Sequence, residues 1–164
     1  MNTEKGIRHY EESHFVPASP EEVFAYIDDH KSFSSHMNES SWMMGGGKMT
    51  TSVDEQHGQA VGSHIKMEGK VFGFTLALDE VVTVHEPPHI KVWKTVGTPK
   101  LLIIGHYQMK AEIMPENSSS NLTVSIDYEL PSTNAWLGTI FGAWYAKWCV
   151  QQMLFGTVNH FTRS

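Results

Sequence analysis

His85-Glu86-Pro87-Pro88-His89 has the letters of H-E-x-x-H, in which two histidines one helical turn apart hold zinc and the glutamate is a general base. That chemistry requires a helix. Two consecutive prolines remove backbone donors and clash with a helical turn, and the segment separates two strand-like runs. It reads as an inter-strand turn that binds no metal. Gly45-Gly46-Gly47-Lys48 has the beginnings of a phosphate loop, which also needs an opening glycine and a Ser or Thr after the lysine. Trp42 and Met49 stand in those places, so the triglycine reads as a flexible connection flanking a pocket.

The chain has ten histidines, but they are scattered and form no compact ligand set with Cys, Asp or Glu. No metal or other cofactor is expected. His64 and His106 fall on the water-facing side of their strands by phase, and His36 reads as a surface or capping residue. Cys149, the single cysteine, lies within an apolar helix and reads as an inert core thiol. Tyr107 and Tyr128 are the polar groups most clearly in phase with apolar strand faces. A buried tyrosine hydroxyl needs a partner, either a ligand carbonyl or a water. Catalysis would need an acid–base pair within hydrogen-bond reach on that face. The strand phase places tyrosines there but no His/Asp pair, which favours a non-catalytic reading.

Several elements must position these groups. Ile7 to Val16 reads as a first strand. Ser19-Pro20-Glu21-Glu22 supplies an N-cap serine, proline at the first helical position and glutamate at the third, a capping box. Val23, Phe24 and Ile27 then give an apolar stripe to about Asp29. A short helical piece is expected near Lys31 to Met37. Strand-like runs follow near Met49 to Val53, Gly62 to Glu68, Phe72 to Val84, Ile90 to Val96, Leu102 to Ile113 and Leu122 to Leu130, with a polar hairpin loop over Glu116 to Ser120. Short turns between consecutive strands imply an antiparallel meander.

Period-2 alternation puts Tyr107, Met109, Ala111 and Ile113 on one face, with Leu122, Val124, Ile126 and Tyr128, and Phe74, Leu76 and Leu78 in matching phase. From Trp136 to Phe161 there is no proline, and Lys147 is the one Asp, Glu, Lys or Arg. Leu137, Ile140, Phe141, Trp144, Trp148, Phe155 and Val158 fall on one broad helical stripe, expected against the sheet. Gly138, Gly142, Ala146, Cys149 and Met153 lie opposite. The fold class is α+β: a curved antiparallel sheet and a long C-terminal helix enclosing an apolar cavity, in a single domain over residues 1–164. The expected ligand-binding residues are Met37, Trp42, Phe74, Leu76, Tyr107, Met109, Tyr128, Phe141, Trp144 and Trp148. Met37, Trp42, Met43, Met44 and Met49 cluster round the triglycine, where adaptable side chains suit either a pocket entrance or ordinary core filling.

Composition narrows the partners. Hydrophobic residues make up 40%, charged residues 18%, and the net charge is −6. A nucleic-acid binder needs a basic face, and here Lys and Arg are few and dispersed. One cysteine and an N-terminus without an apolar signal segment lead to the expectation of a cytoplasmic protein. The uncharged small-residue side of the terminal helix leads to the expectation of a homodimer, with weak docking on a membrane surface as the lesser alternative.

The order strand, capped helix, meander, Pro-Pro turn, strands and long terminal helix resembles the helix-grip layout. Ser13 to Ile27 (SHFVPASPEEVFAYI) resembles the opening of the START-like, or SRPBCC, superfamily, which includes polyketide cyclases/dehydratases and lipid-transport proteins. The resemblance continues through Asp79-Glu80-Val81-Val82, Glu86-Pro87-Pro88 and Gly105-His106-Tyr107-Gln108-Met109. Asp28 to Gly47 is similar to a bacterial subgroup with no assigned activity. The resemblance implies a cavity between sheet and terminal helix and carries over no catalytic residue. Two readings remain open: binding or transport of a small hydrophobic or aromatic ligand, and a polyketide cyclase/dehydratase-type enzyme.

Overall fold

In the computed structural model, the residues described are 6–29, 33, 48–71, 74–101, 103–131 and 135–163. Their order is β1 (Arg8–Val16), α1 (Pro20–Asp28), β2 (Lys48–Val53), β3 (His64–Val71), β4 (Phe74–Glu86), β5 (Ile90–Lys100), β6 (Tyr107–Glu116), β7 (Ser119–Tyr128) and α2 (Ala135–Thr162). The seven strands form one antiparallel sheet in the order β1-β7-β6-β5-β4-β3-β2. The expected meander is present. β6 begins later than the sequence suggests, because Gly105 and Glu129 turn their amides to Glu129 and His106 carbonyls outside regular pairing. The helical piece near Lys31 to Met37 lies outside the described residues except for Phe33, which is helical and buried.

α1 starts at the predicted capping box. Ser19 Oγ accepts from the Glu22 amide at 3.3 Å, and a Glu22 carboxylate oxygen accepts from the Ser19 amide at 3.0 Å. Val23, Phe24 and Ile27 are buried. Ile65, Met67, Val82, Trp93, Met109, Ile113, Leu122 and Ile126 form the inner face of the sheet, as alternation requires.

The pairing of β4 with β5 slips twice, between Ala77 and Asp79 and between Val82 and Val84. At the second slip Val82 pairs with Trp93 and His85 with Lys91. Thr83 is therefore an extra residue, and the bulge moves odd-numbered His85 onto the inner side with even-numbered Val82.

α2 is 28 residues long, about 42 Å at 1.5 Å per residue. Its orientation reverses the sequence expectation. Gly138, Gly142, Ala146, Cys149, Val150, Met153, Leu154 and Thr157 are buried, while Trp136, Ile140, Phe141, Trp144 and Phe155 are exposed. Size complementarity explains the reversal. A Cβ at position 138 would lie 2.6 Å from Pro131 Cδ and 2.7 Å from the Ile103 carbonyl oxygen. Only a glycine lets the helix seat this deeply on the chain. The small-residue side, on which the expected homodimer rested, is thus covered by the sheet of the same chain.

Candidate ligand cavity

Between the sheet and α2 lies a cavity walled by Met67, Leu78, Glu80 and Trp93 from β3–β5, by Leu101 and Ile104, by Tyr107, Met109 and Ile126 from β6 and β7, and by Tyr145, Cys149 and Met153 from α2. Its free volume is small, about 40 Å³. A larger guest requires the wall to give. Met67, Met109 and Met153 are unbranched and adapt to irregular shapes.

The polar feature of this wall is a pair. The Tyr107 hydroxyl donates to Glu80 Oε2 at 2.7 Å, and Glu80 is 1% exposed. Burial, then the Glu80 charge, pushes the Tyr107 phenol well above its ordinary pKa. Tyr145 is also raised, by burial and then by Cys149, with which it shares a hydrogen bond. Burial lifts the Cys149 thiol to about 12, against a smaller lowering by that bond. At neutral pH both tyrosines and the cysteine keep their protons.

Behind Trp93 a second polar group ties α1 to the sheet. Lys91, fully buried, places Nζ 3.0 Å from Asp28 Oδ1. His85 Nε2 lies 2.9 and 3.0 Å from the two Asp28 oxygens. Burial lowers the Lys91 pKa, and the Asp28 and Glu80 charges oppose the shift. His85 and His89 are thus parts of a hairpin, whose turn is closed by the His89 amide on the Glu86 carbonyl at 2.8 Å. Among the described residues no group of three His, Cys, Asp or Glu is arranged to hold a metal ion, and no helix is long and apolar enough to cross a membrane.

Of the residues expected at the ligand, Tyr107 and Met109 line the cavity. Leu76 and Trp148 pack on the core beside it. Tyr128 is buried under Gly142, whose added Cβ would be 3.4 Å from Tyr128 Cε2. Phe74 belongs to β4. Met37 and Trp42 lie outside the described residues, as does the triglycine. Phe141 and Trp144 do not face the cavity. They are 42% and 47% exposed, because the glycine side of α2 took the inner position. Sequence reasoning missed Glu80. It continues the alternation Leu76, Leu78, Glu80, and extending that phase one step would have found an acidic group facing the tyrosines.

The family model described as "Polyketide cyclase / dehydrase and lipid transport" matches residues 8–157. Similar solved structures include the Zhui aromatase/cyclase from Streptomyces sp. R1128 (TM-score 0.72, 13% identity, 96% of this chain and 95% of that one). Truncated norcoclaurine synthase from Thalictrum flavum has a TM-score of 0.69 at 14% identity, covering 97% and 96%. Protein CV1439 from Chromobacterium violaceum has a TM-score of 0.61 at 17% identity, covering 95% and 99%. At these identities the likeness is one of fold. No curated protein matches the chain in sequence.

Proposed function

We propose, for a chain that belongs to the polyketide cyclase / dehydrase and lipid transport family, that it binds one small hydrophobic or aromatic molecule between the sheet and α2 and carries it unchanged. The observation that supports this is a wall that, among the described residues, is mostly apolar and is interrupted by two hydrogen-bonded pairs, Glu80 with Tyr107 and Tyr145 with Cys149. Few polar groups in an apolar enclosure are the usual composition of a small-molecule site. The test is binding of the neutral fluorophore 1-aminoanthracene to the full chain and to Cys149→Phe, which fills the space from α2. Saturable binding abolished by Cys149→Phe in a folded variant supports the reading. Equal binding by both proteins contradicts it.

One observation favours a second, enzymatic reading. A cyclase or dehydratase needs a base to take a proton beside a carbonyl and an acid to protonate a departing oxygen. Glu80 and Tyr107 have the chemistry and the mutual distance for those roles. Deuterium exchange into 1-phenylbutane-1,3-dione, accelerated by the wild type and not by Glu80→Gln, separates this enzyme from a carrier.

We also propose that the exposed stripe Trp136, Ile140, Trp144 and Phe155 of α2 meets the same stripe of a second copy. At roughly half exposure and about 150–250 Å² per large side chain, the stripe with Phe141 offers about 500 Å². Two copies reach about 1,000 Å², the size of a weak, reversible contact. An antiparallel two-fold pairing buries both at once.

A further inference from the structure

We infer that the cavity favours an aromatic ring over a saturated ring of the same skeleton, and that the thioethers of Met67, Met109 and Met153 set this preference. The inference rests on the reading that the cavity holds an apolar or aromatic ligand. Met67, Met109 and Met153 are the buried methionines among the described residues, and all three line this one cavity. Away from it the core is filled by branched side chains such as Val16, Ile27, Ile65, Leu122 and Leu154. The fold does not need sulfur at these places, because leucine for methionine conserves volume and is usually tolerated. What leucine cannot supply is a polarisable sulfur atom.

The three sulfurs come from opposite walls. Met67 on β3 and Met109 on β6 belong to the sheet, and Met153 belongs to α2. A guest between them meets thioethers from both sides. An aromatic ring carries partial positive charge along its edge, and a thioether sulfur about 5 Å from the ring, commonly at that edge, is attracted to it. A saturated ring has no such edge and gains only dispersion from the same sulfurs. Burial of apolar area works the other way, because the saturated ring has more of it to remove from water. Trp93 and Tyr145 on the same wall also favour an aromatic guest, so the share of the methionines shows when they alone are exchanged.

The experiment is calorimetric titration of the full chain at neutral pH with benzyl alcohol and cyclohexylmethanol. Both are one-ring primary alcohols of the same skeleton, so the hydrogen bonds open to them are alike. The wild type is expected to bind benzyl alcohol at least about threefold more tightly than cyclohexylmethanol. The double exchange Met109→Leu with Met153→Leu, which conserves volume on both walls, is expected to lower that ratio by about threefold or more. Leu78→Met adds a thioether to the same wall and is expected to raise the ratio, which tests the assignment to sulfur even if the double variant fails to fold. Cyclohexylmethanol binding to the wild type as tightly as benzyl alcohol overturns the preference and leaves the cavity reading intact. An unchanged ratio in the folded double variant, or in Leu78→Met where the double variant does not fold, assigns the preference to ring shape and overturns the assignment to methionine. No binding of either alcohol by the folded wild type overturns the cavity reading and this inference with it.

Discussion

Tyr107 and Glu80 are hydrogen-bonded at 2.7 Å although β5 runs between their strands. Thr95 occupies the intervening place. It pairs with Glu80 in register, and its Oγ1 accepts the Tyr107 amide at 3.1 Å. Strands about 4.8 Å apart put the two backbones roughly 10 Å from each other. A phenol and a glutamate together span that width, and a residue as short as threonine leaves the path open.

Because both partners are buried, removing the donor takes one hydrogen bond from Glu80 away from water. Tyr107→Phe should cost about 1–3 kcal/mol in urea unfolding. In a double-mutant cycle with Glu80→Gln the two losses should not add, with a coupling of about 0.5–3 kcal/mol. Simple additivity would mean that the pair is not formed in solution.

Burial predicts opposite outcomes for two tryptophans, one on β5 and one on the outer face of α2. Trp93, 1% exposed, should cost about 3–5 kcal/mol on replacement by alanine. Trp144, 47% exposed, should cost under about 1 kcal/mol. Trp144→Glu should instead lower the mass seen by light scattering from twice the chain mass to once. A wild type already monomeric at micromolar concentration removes the proposed pairing. Liposome binding by that monomer would assign the stripe to a membrane surface.

The seating of α2 is tested by two glycines four residues apart. Gly138→Ala should destabilise by about 1–3 kcal/mol, because its Cβ meets the Ile103 carbonyl oxygen at 2.7 Å and backbone cannot step aside. Gly142→Ala makes ordinary contacts, with Tyr128 Cε2 at 3.4 Å and the Ile103 carbonyl oxygen at 3.9 Å, and gains helix propensity of up to about 1 kcal/mol, so it should be near neutral. Thermal melts giving the two variants equal losses would argue against this helix face.

Cys149 carries a pH signature. Its folded pKa of about 12 is raised from 9.0, so the stability it contributes is whole below pH 9 and is lost as pH rises towards 12. The advantage of wild type over Cys149→Ala should shrink across that window, by about 1.4 kcal/mol per pH unit at most. Alkaline urea titrations of both proteins measure it. A thiol that reacts rapidly with Ellman's reagent in the folded protein at pH 8 would show that Cys149 is not enclosed.

Much of the fold was legible because its signals are local. Ser19 and Glu22 announced α1, and the alternation through Met109 and Ile126 announced the inner face of the sheet. The facing of α2 was not legible. Both of its sides are apolar, so periodicity locates a stripe without saying which way it turns. Contact at Ile103, 35 positions before Gly138, decides that. Glu80 was passed over because acidic residues ordinarily mark the wet face, and its partner Tyr107 lies 27 positions away. His85 could not be placed from phase either, since the bulge at Thr83 changes the phase.

The central claim, that a small apolar molecule occupies the space between sheet and α2, is tested most directly by crystals grown with 4-iodophenol. The account predicts an anomalous iodine peak between Met109, Cys149 and Met153, with the phenol oxygen turned to Glu80. Well-ordered crystals at saturating 4-iodophenol that show iodine only on the outer surface, with the cavity unoccupied, would contradict it.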